Sequence, residues 1–508
     1  MDEVRRIFNN FTSNIALYPT PKAYDAAAKS YAAAVTKLSP GARAAILDKP
    51  IESLQVFKNI AHASVNLLAD ATIQVVDPAT NSIAYLSIID ILLRGPIPPS
   101  TPRSLVLNET VQFLLKFDPI QIRYVGALFR SLLEDLGSFF SPLVAVELLA
   151  IAILRIDPSG SVFTSTHLVL AKLAYDANCI EPALKVLDAD ILFYPRSTSA
   201  ARLEETKKLY DTDLEPYAYI PAAGLTDGIK STSILEYHFI QAMVYISRRD
   251  WSKAQAALDR VIGHPTKDKG VSKIMSEGYK KWILVGLLRE GRPPSFPSYI
   301  TAATRSSFSG LGEAYYNIAS LFTTDSASKL REEIEKGQPT WEEDKNSSLM
   351  GEVIAAYQKW QVINLRRIYR QVSISQIRQT TLSARTAETL KSDEDVLTLV
   401  SDMIESGMLK GQLQVGPTAE ESYVTFHEEH DLMTEAEFAA EVARSHGSIE
   451  SLTKQFRVTN ERLSSTKEYA RHLLREQRRM EKDLADAGVG FDSQVEDEDL
   501  MTGVLGTV

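Results

Sequence analysis

Along most of the chain the apolar positions recur every three or four residues, the period of an amphipathic helix. The pattern predicts helices over Ala23–Leu38, Glu52–Ala69, Ile83–Leu93, Ser104–Phe117, Ile120–Leu136 and Pro142–Ile156. The turns between them are short and carry Pro or Gly, as in Arg94–Ser104. Strand-like alternation is almost absent before residue 408. Such a run of helices predicts antiparallel helix pairs.

Some of these pairs repeat. LAYDANCIEPALKVLDADI aligns with VYISRRDWSKAQAALDRVI at an offset of about 71 residues, near twice the ~34-residue tetratricopeptide period. Leu173 matches Val244, Ile180 matches Trp251, Ala183 matches Ala254, Leu187 matches Leu258, Asp188 matches Asp259 and Ile191 matches Ile262. Small alanines let paired helices approach closely, and stacked pairs bury a continuous core. The fold class expected is therefore all-α: a right-handed, tetratricopeptide-like helical-repeat array. Helices at Gly312–Phe322 and Gly351–Ile363 continue it. Between them, REEIEKGQPTWEEDKNSS reads as a polar surface helix and turn.

After Val372 the pattern changes to helix, helix, strand, strand. Ser373–Gln376 and Ser392–Asp395 are capping-box sequences opening two helices, and Gly407 stands where a left-handed cap is favoured. Leu409, Gly411, Leu413 and Val415 alternate, and Tyr423–Phe426 follows across a Gly-Pro turn. Two helices and a two-stranded hairpin make a winged helix. A third capping box, Thr434–Glu437, starts a helix expected to stop at Gly447, followed by a longer one to about Ala485. Phe438, Val442, Ile449, Leu452, Phe456, Leu463, Ala470, Leu473, Met480 and Leu484 form a nearly heptad seam on these helices. The expected organisation is a repeat array over 1–215, a second helical part over 216–365, a winged helix over 366–430, bundle helices over 431–487 and a disordered acidic tail over 488–508. In that tail Ser493, followed by Glu496-Asp497-Glu498-Asp499, suits an acid-directed kinase.

Composition narrows the function. The chain has 508 residues and a net charge of -10, which repels a phosphate backbone. Cys179 is the only cysteine, so no intrachain disulfide or cysteine zinc cage can form; it reads as a packing residue at a helix junction. The opening MDEVRRIFNNF does not read as a secretory signal. The greasiest stretch, Leu143–Ile156, contains Glu147 and falls short of the ~20 residues of a membrane span, so a buried helix is expected.

Catalytic patterns are missing. No two of the eight histidines are separated by a single residue, which removes an H-x-H zinc pair. His427-Glu428-Glu429-His430 is not H-E-x-x-H and follows a strand. Gly310 to Gly312 begins a dinucleotide pattern, but Tyr315 stands at the third glycine position. The second wing helix carries Asp393, Glu394, Asp395, Asp402 and Glu405, which disfavours DNA. The basic run Arg471, Arg475, Arg478, Arg479 and Lys482 is interleaved with acids and reads as a solvated face. No enzyme, cofactor, metal, nucleic-acid or membrane role is expected.

Three stretches carry a resemblance: GYKKWILVGLLREGRPPSFPSY (Gly278–Tyr299), GEAYYNIASLF (Gly312–Phe322), and the wing, Ser401–Gln414 with Tyr423–Glu429. They are similar to the PCI family, which supplies scaffold subunits to the proteasome lid, the COP-nine signalosome and translation initiation factor three. Within it, the chain most resembles the third-subunit family of the signalosome, the complex that removes Nedd8 from cullins; a proteasome-lid subunit is the alternative. The resemblance implies a non-catalytic scaffold in nucleus and cytoplasm, supporting a separate zinc isopeptidase. Its partners would be other PCI subunits and the isopeptidase subunits, with cullin-RING ligases engaged indirectly. It also implies edge-to-edge docking through Leu409, Leu413, Val415, Tyr423, Val424 and Phe426, and a shared helical bundle through the seam residues.

Overall fold

The computed structural model describes residues 2–486 apart from 9, 12, 51–52, 54–77, 97, 100, 196–208, 266–269, 417–420, 428–433 and 465. The helix expected over Glu52–Ala69, all but Ser53, and the tail with Ser493 lie outside the described residues. The chain divides into two units, residues 1–426 and 427–508.

The first unit is a helical array ending in a small sheet. It opens with α1 (Asp2–Phe8), α2 (Pro21–Thr36), α3 (Pro40–Asp48), α4 (Ser82–Arg94), α5 (Arg103–Lys116), α6 (Gly126–Phe139), α7 (Pro142–Ile156) and α8 (Ser165–Asp176). Thr20 and Ser39 cap α2 and α3, each with a proline at the start of its helix, where a missing N–H costs nothing. As its hydropathy predicts, α7 buries Val146, Leu149, Ala152 and Ile153.

The single helix expected over Ile120–Leu136 is broken. A short turn over Pro119–Ile122 leads to a kink, and α6 starts only at Gly126. The kink frees Arg123 to donate to the carbonyls of Leu209 at 3.1 Å and Asp211 at 2.7 Å. Its guanidinium lies 3.7 Å from the centre of the Tyr219 ring. These tertiary bonds outweigh the helical period. They join the first core to Leu209, Tyr219 and Ile220, which are buried in it.

The repeat offset is kept at one end only. In the second copy, α9 (Ser231–Ser247) pairs with α10 (Trp251–Ile262). In the first copy, α8 is followed by a 3-10 turn, Glu181–Ala183, and one helical turn, Leu184–Leu187. Ala183, Ala254, Leu187 and Leu258 are all fully buried, but Ile191 lies outside any helix whereas Ile262 is helical. Helix α9 faces two cores: Tyr237 and Val244 pack into the N-terminal core, Leu235, Ala242 and Tyr245 into the next.

The second core is built by α10, α11 (Lys273–Glu290), α12 (Ala302–Leu311), α13 (Glu313–Phe322), α14 (Ala327–Lys336), α15 (Gln338–Glu343) and α16 (Ser347–Leu365). Gly291 ends α11 with φ +67°, under the Trp360 ring. The stretch read as a polar surface helix is in fact α14 and α15, which bury Leu330, Ile334 and Trp341. Its polar residues mask an apolar stripe that only the partner helices reveal.

The winged helix has its own core. It runs β1 (Gln371–Ser373), α17 (Ile374–Thr380), α18 (Asp393–Glu405), β2 (Gly411–Gln414) and β3 (Tyr423–Phe426). The sheet is antiparallel in the order β1-β3-β2, so the expected hairpin has gained a third strand. Both expected caps form: Ser373 Oγ accepts from Gln376 N–H, and Ser392 and Asp395 bond reciprocally. Gly407 has φ +70°.

The second unit holds α19 (Glu435–Ser464) and α20 (Lys467–Asp486). Thr434 and Glu437 form the expected capping box, and the Thr434 backbone N–H and hydroxyl hold the Glu437 carboxyl below its ordinary range. The expected stop at Gly447 is absent: α19 runs straight through, because a lone exposed glycine costs only about 1 kcal/mol in a helix. The first helix ends at Ser464 and the second begins at Lys467.

Candidate interaction site

The described residues contain no group of three or more His, Cys, Asp or Glu side chains placed to hold a metal ion. No helix among them is long and apolar enough to cross a membrane. His427 is half-buried, and residues 428–430 lie outside the described ones. Gly310 and Gly312 fall at the α12–α13 junction, and the Tyr315 hydroxyl donates to Asp344 Oδ2 at 2.7 Å. Cys179 is half-buried against the N-terminal core, as a packing residue would be.

Two surfaces stand out among the described residues. In the sheet, Phe426 N–H donates to the Arg370 carbonyl and Ile374 N–H to the Ser422 carbonyl, both at 2.9 Å. With the register Val372↔Val424, this directs the backbone groups of Val424 and Phe426 toward β1. Those of Tyr423 and Thr425 then point to their partners Gln414 and Gln412 on β2. Strand β3 is thus paired on both sides and offers no edge. Val424, Phe426 and Leu409 are buried in the winged-helix core, and Leu413 packs against it. The backbones of Tyr423, Val424 and Phe426 are thus paired within the domain's own sheet, and the Leu409 side chain lies in its core.

The outer strands are β1 and β2, and β2 presents one open edge. There Gly411, Leu413 and Val415 direct their backbone groups away from β3, and the Val415 side chain is 69% exposed. A Cβ on Gly411 would lie 2.6 Å from the Thr425 carbonyl oxygen, so only glycine allows this close pairing. Beside the sheet, Glu394, Asp395, Asp402 and Glu405 are exposed on α18, while Asp393 lies 3.1 Å from Arg378 Nε.

The second unit carries the other surface. On α19, Phe438, Val442, Ile449, Leu452, Phe456 and Leu463 are all exposed; Phe456 reaches 71%. Leu473 and Ala470 are exposed on α20. The side chains of Met480 and Leu484 lie outside the described ones. An apolar stripe this long, left in water, marks an interaction surface.

Two features escaped the sequence reading. Strand β1 is three residues long, too short for a period to register. The arginines of Arg366–Arg370 look like an ordinary solvated end of α16 until the sheet sets them beside β1.

Comparison with known proteins gives these surfaces a context. The family described as COP9 signalosome complex subunit 3, N-terminal helical repeats, matches residues 48–304. The chain is 37% identical over 451 residues to COP9 signalosome complex subunit 3 of Neurospora crassa, covering 86% of this chain and 90% of that protein. It is 31% identical over 359 residues to the protein of that name in Emericella nidulans, covering 68% and 70%. A helical array among the described residues, a family match over 48–304 and this identity over most of both chains put the chain in the COP9 signalosome complex subunit 3 family.

Proposed function

We propose that this chain is a non-catalytic scaffold subunit of the COP9 signalosome, working in nucleus and cytoplasm. It would hold neighbouring subunits so that a separate zinc isopeptidase removes Nedd8 from cullins. The observation that carries this reading is the similarity to subunit 3 proteins over 90% and 70% of their lengths. The exposed seam of α19 and α20 supports the scaffold role, since burial contributes roughly 1.5–3 kcal/mol per large apolar side chain. The β2 edge supports it too, as an unpaired strand edge is a template for a neighbour's strand. Other PCI subunits and the isopeptidase subunits are the partners that fit, with cullin-RING ligases reached through the assembly.

The test is a tagged pull-down from native lysate, assayed for cullin deneddylation and for ubiquitin-chain hydrolysis. Deneddylation should travel with the tag while the purified chain alone is inert. Ubiquitin-chain hydrolysis accompanied by proteasome particles would transfer the chain to the lid and end this reading.

A further inference from the structure

Between α16 and β1 the chain crosses from the array to the winged helix through Arg366-Arg367-Ile368-Tyr369-Arg370. Arg366, Arg367 and Arg370 are all exposed, and none forms an ion pair with the described residues. Ile368, set among them, is 77% exposed. Yet the segment is firmly held. Arg366 N–H donates to the Ile363 carbonyl at 3.2 Å, Arg367 N–H to Asn364 at 3.1 Å, Ile368 N–H to Leu365 at 3.0 Å and Tyr369 N–H to Leu365 at 2.9 Å. Arg370 accepts from Phe426 N–H, and Val362 and Val372 on either side are buried. Cations in a chain of net charge -10 are thus displayed on hydrogen-bonded backbone with no ion-pair partner among the described residues.

The same segment runs into an open strand. Val372 spends its backbone bonds on β3, so the N–H and C=O of Gln371 point outward along the free edge of β1. Outward backbone groups next to unpaired guanidinium groups suit one kind of occupant: an extended, acidic polypeptide segment. Its backbone would pair with Gln371, alternate carboxylates would meet the arginines, and an apolar residue would cover Ile368.

We propose that Arg366, Arg367 and Arg370, with the β1 edge at Gln371, form a docking site for an acidic linear segment of another polypeptide. A nucleic acid fits less well. It has no peptide N–H and C=O groups to pair with a strand edge. The site is distinct from the β2 edge and from the seam, and it does not depend on which assembly the chain joins.

The experiment uses the full-length purified chain and a fluorescein-labelled peptide alternating glutamate with valine, followed by anisotropy. The wild-type chain should bind it, more weakly as salt rises. The triple variant Arg366→Glu, Arg367→Glu, Arg370→Glu should weaken binding at least tenfold. Gln371→Pro, which removes one outward N–H, should weaken it severalfold. Lys329→Glu, a charge reversal at an exposed position of α14, should leave it unchanged. Circular dichroism melts of each variant separate lost binding from lost folding. No binding to the wild type, or binding that survives the triple reversal in a folded variant, overturns the proposal. So does a single-stranded oligonucleotide that displaces the peptide and outbinds it.

Discussion

The indole Nε1 of Trp282 donates to Asp259 Oδ1 at 2.6 Å, tying α11 to the end of α10. One repeat earlier, the Tyr245 hydroxyl donates to Asp188 Oδ1 at 2.8 Å. Asp188 and Asp259 are the pair that the repeat offset aligns, so one position performs one task twice: it takes a hydrogen bond from an aromatic on a following helix. The geometry is conserved although one copy is a full helix and the other a single turn.

That bond is measurable. Burial raises the pKa of Asp259, and the Trp282 donor acts against it. Trp282→Phe keeps a ring in the core but removes the donor. It should cost about 2–3 kcal/mol in urea unfolding, with the m-value unchanged.

A second polar cluster crosses the middle core. Lys281 is only 6% exposed and donates to Asn346 Oδ1; Asn346 Nδ2 in turn donates to the Tyr315 hydroxyl at 2.8 Å. Burial lowers the Lys281 pKa. Asn346→Ala strands a buried ammonium and should destabilise by about 3 kcal/mol. Lys281→Met, close in volume, should cost less than half of that in the same melts.

The buried histidines predict acid lability. Burial lowers His167 and His238 from 6.5 to about 4. The Thr164 N–H donates to His167 Nδ1 at 3.2 Å, and the Tyr194 hydroxyl lies 2.9 Å from His238 Nε2. Both rings are therefore neutral in the fold while the unfolded chain protonates near 6.5. Their stabilisation is complete above that pH and is lost as pH falls toward 4. At pH 5 each should cost about 2 kcal/mol relative to pH 8. Carboxylates add their own acid dependence, so the check is a difference: His167→Gln or His238→Gln should flatten the slope of stability between pH 4.5 and 6.5.

Deleting residues 431–487 should leave the melting of the first unit intact, because residues 1–426 hold all three described cores. Native pull-downs with the truncated chain should lose its partners. Full retention of partners would mean that the seam is not the contact.

The β2 edge makes a finer prediction. Val415→Pro removes an outward N–H at an exposed position just beyond the strand. Stability should move by less than about 1 kcal/mol. Partner recovery should fall severalfold if a neighbour's strand pairs there, and stay unchanged if it does not.

How far the sequence carried depended on the range of the interaction. The capping boxes at Ser392 and Thr434 and the left-handed Gly407 were legible because a cap is decided within a few residues. The buried α7 and the seam were legible because a helix repeats one face many times over.

What needed the tertiary structure was every choice made by a distant partner. Ile120–Leu136 has a continuous helical period, yet Arg123 leaves the helix to reach Leu209, Asp211 and Tyr219. Trp341 reads as surface until α14, α15 and their neighbours close over it. Tyr423–Phe426 reads as a free hairpin strand until β1 fills its second edge. Periodicity tells which face of an element is apolar and where the element begins. It says nothing of which backbone groups remain unpaired, because that depends on what packs beside the element from far along the chain.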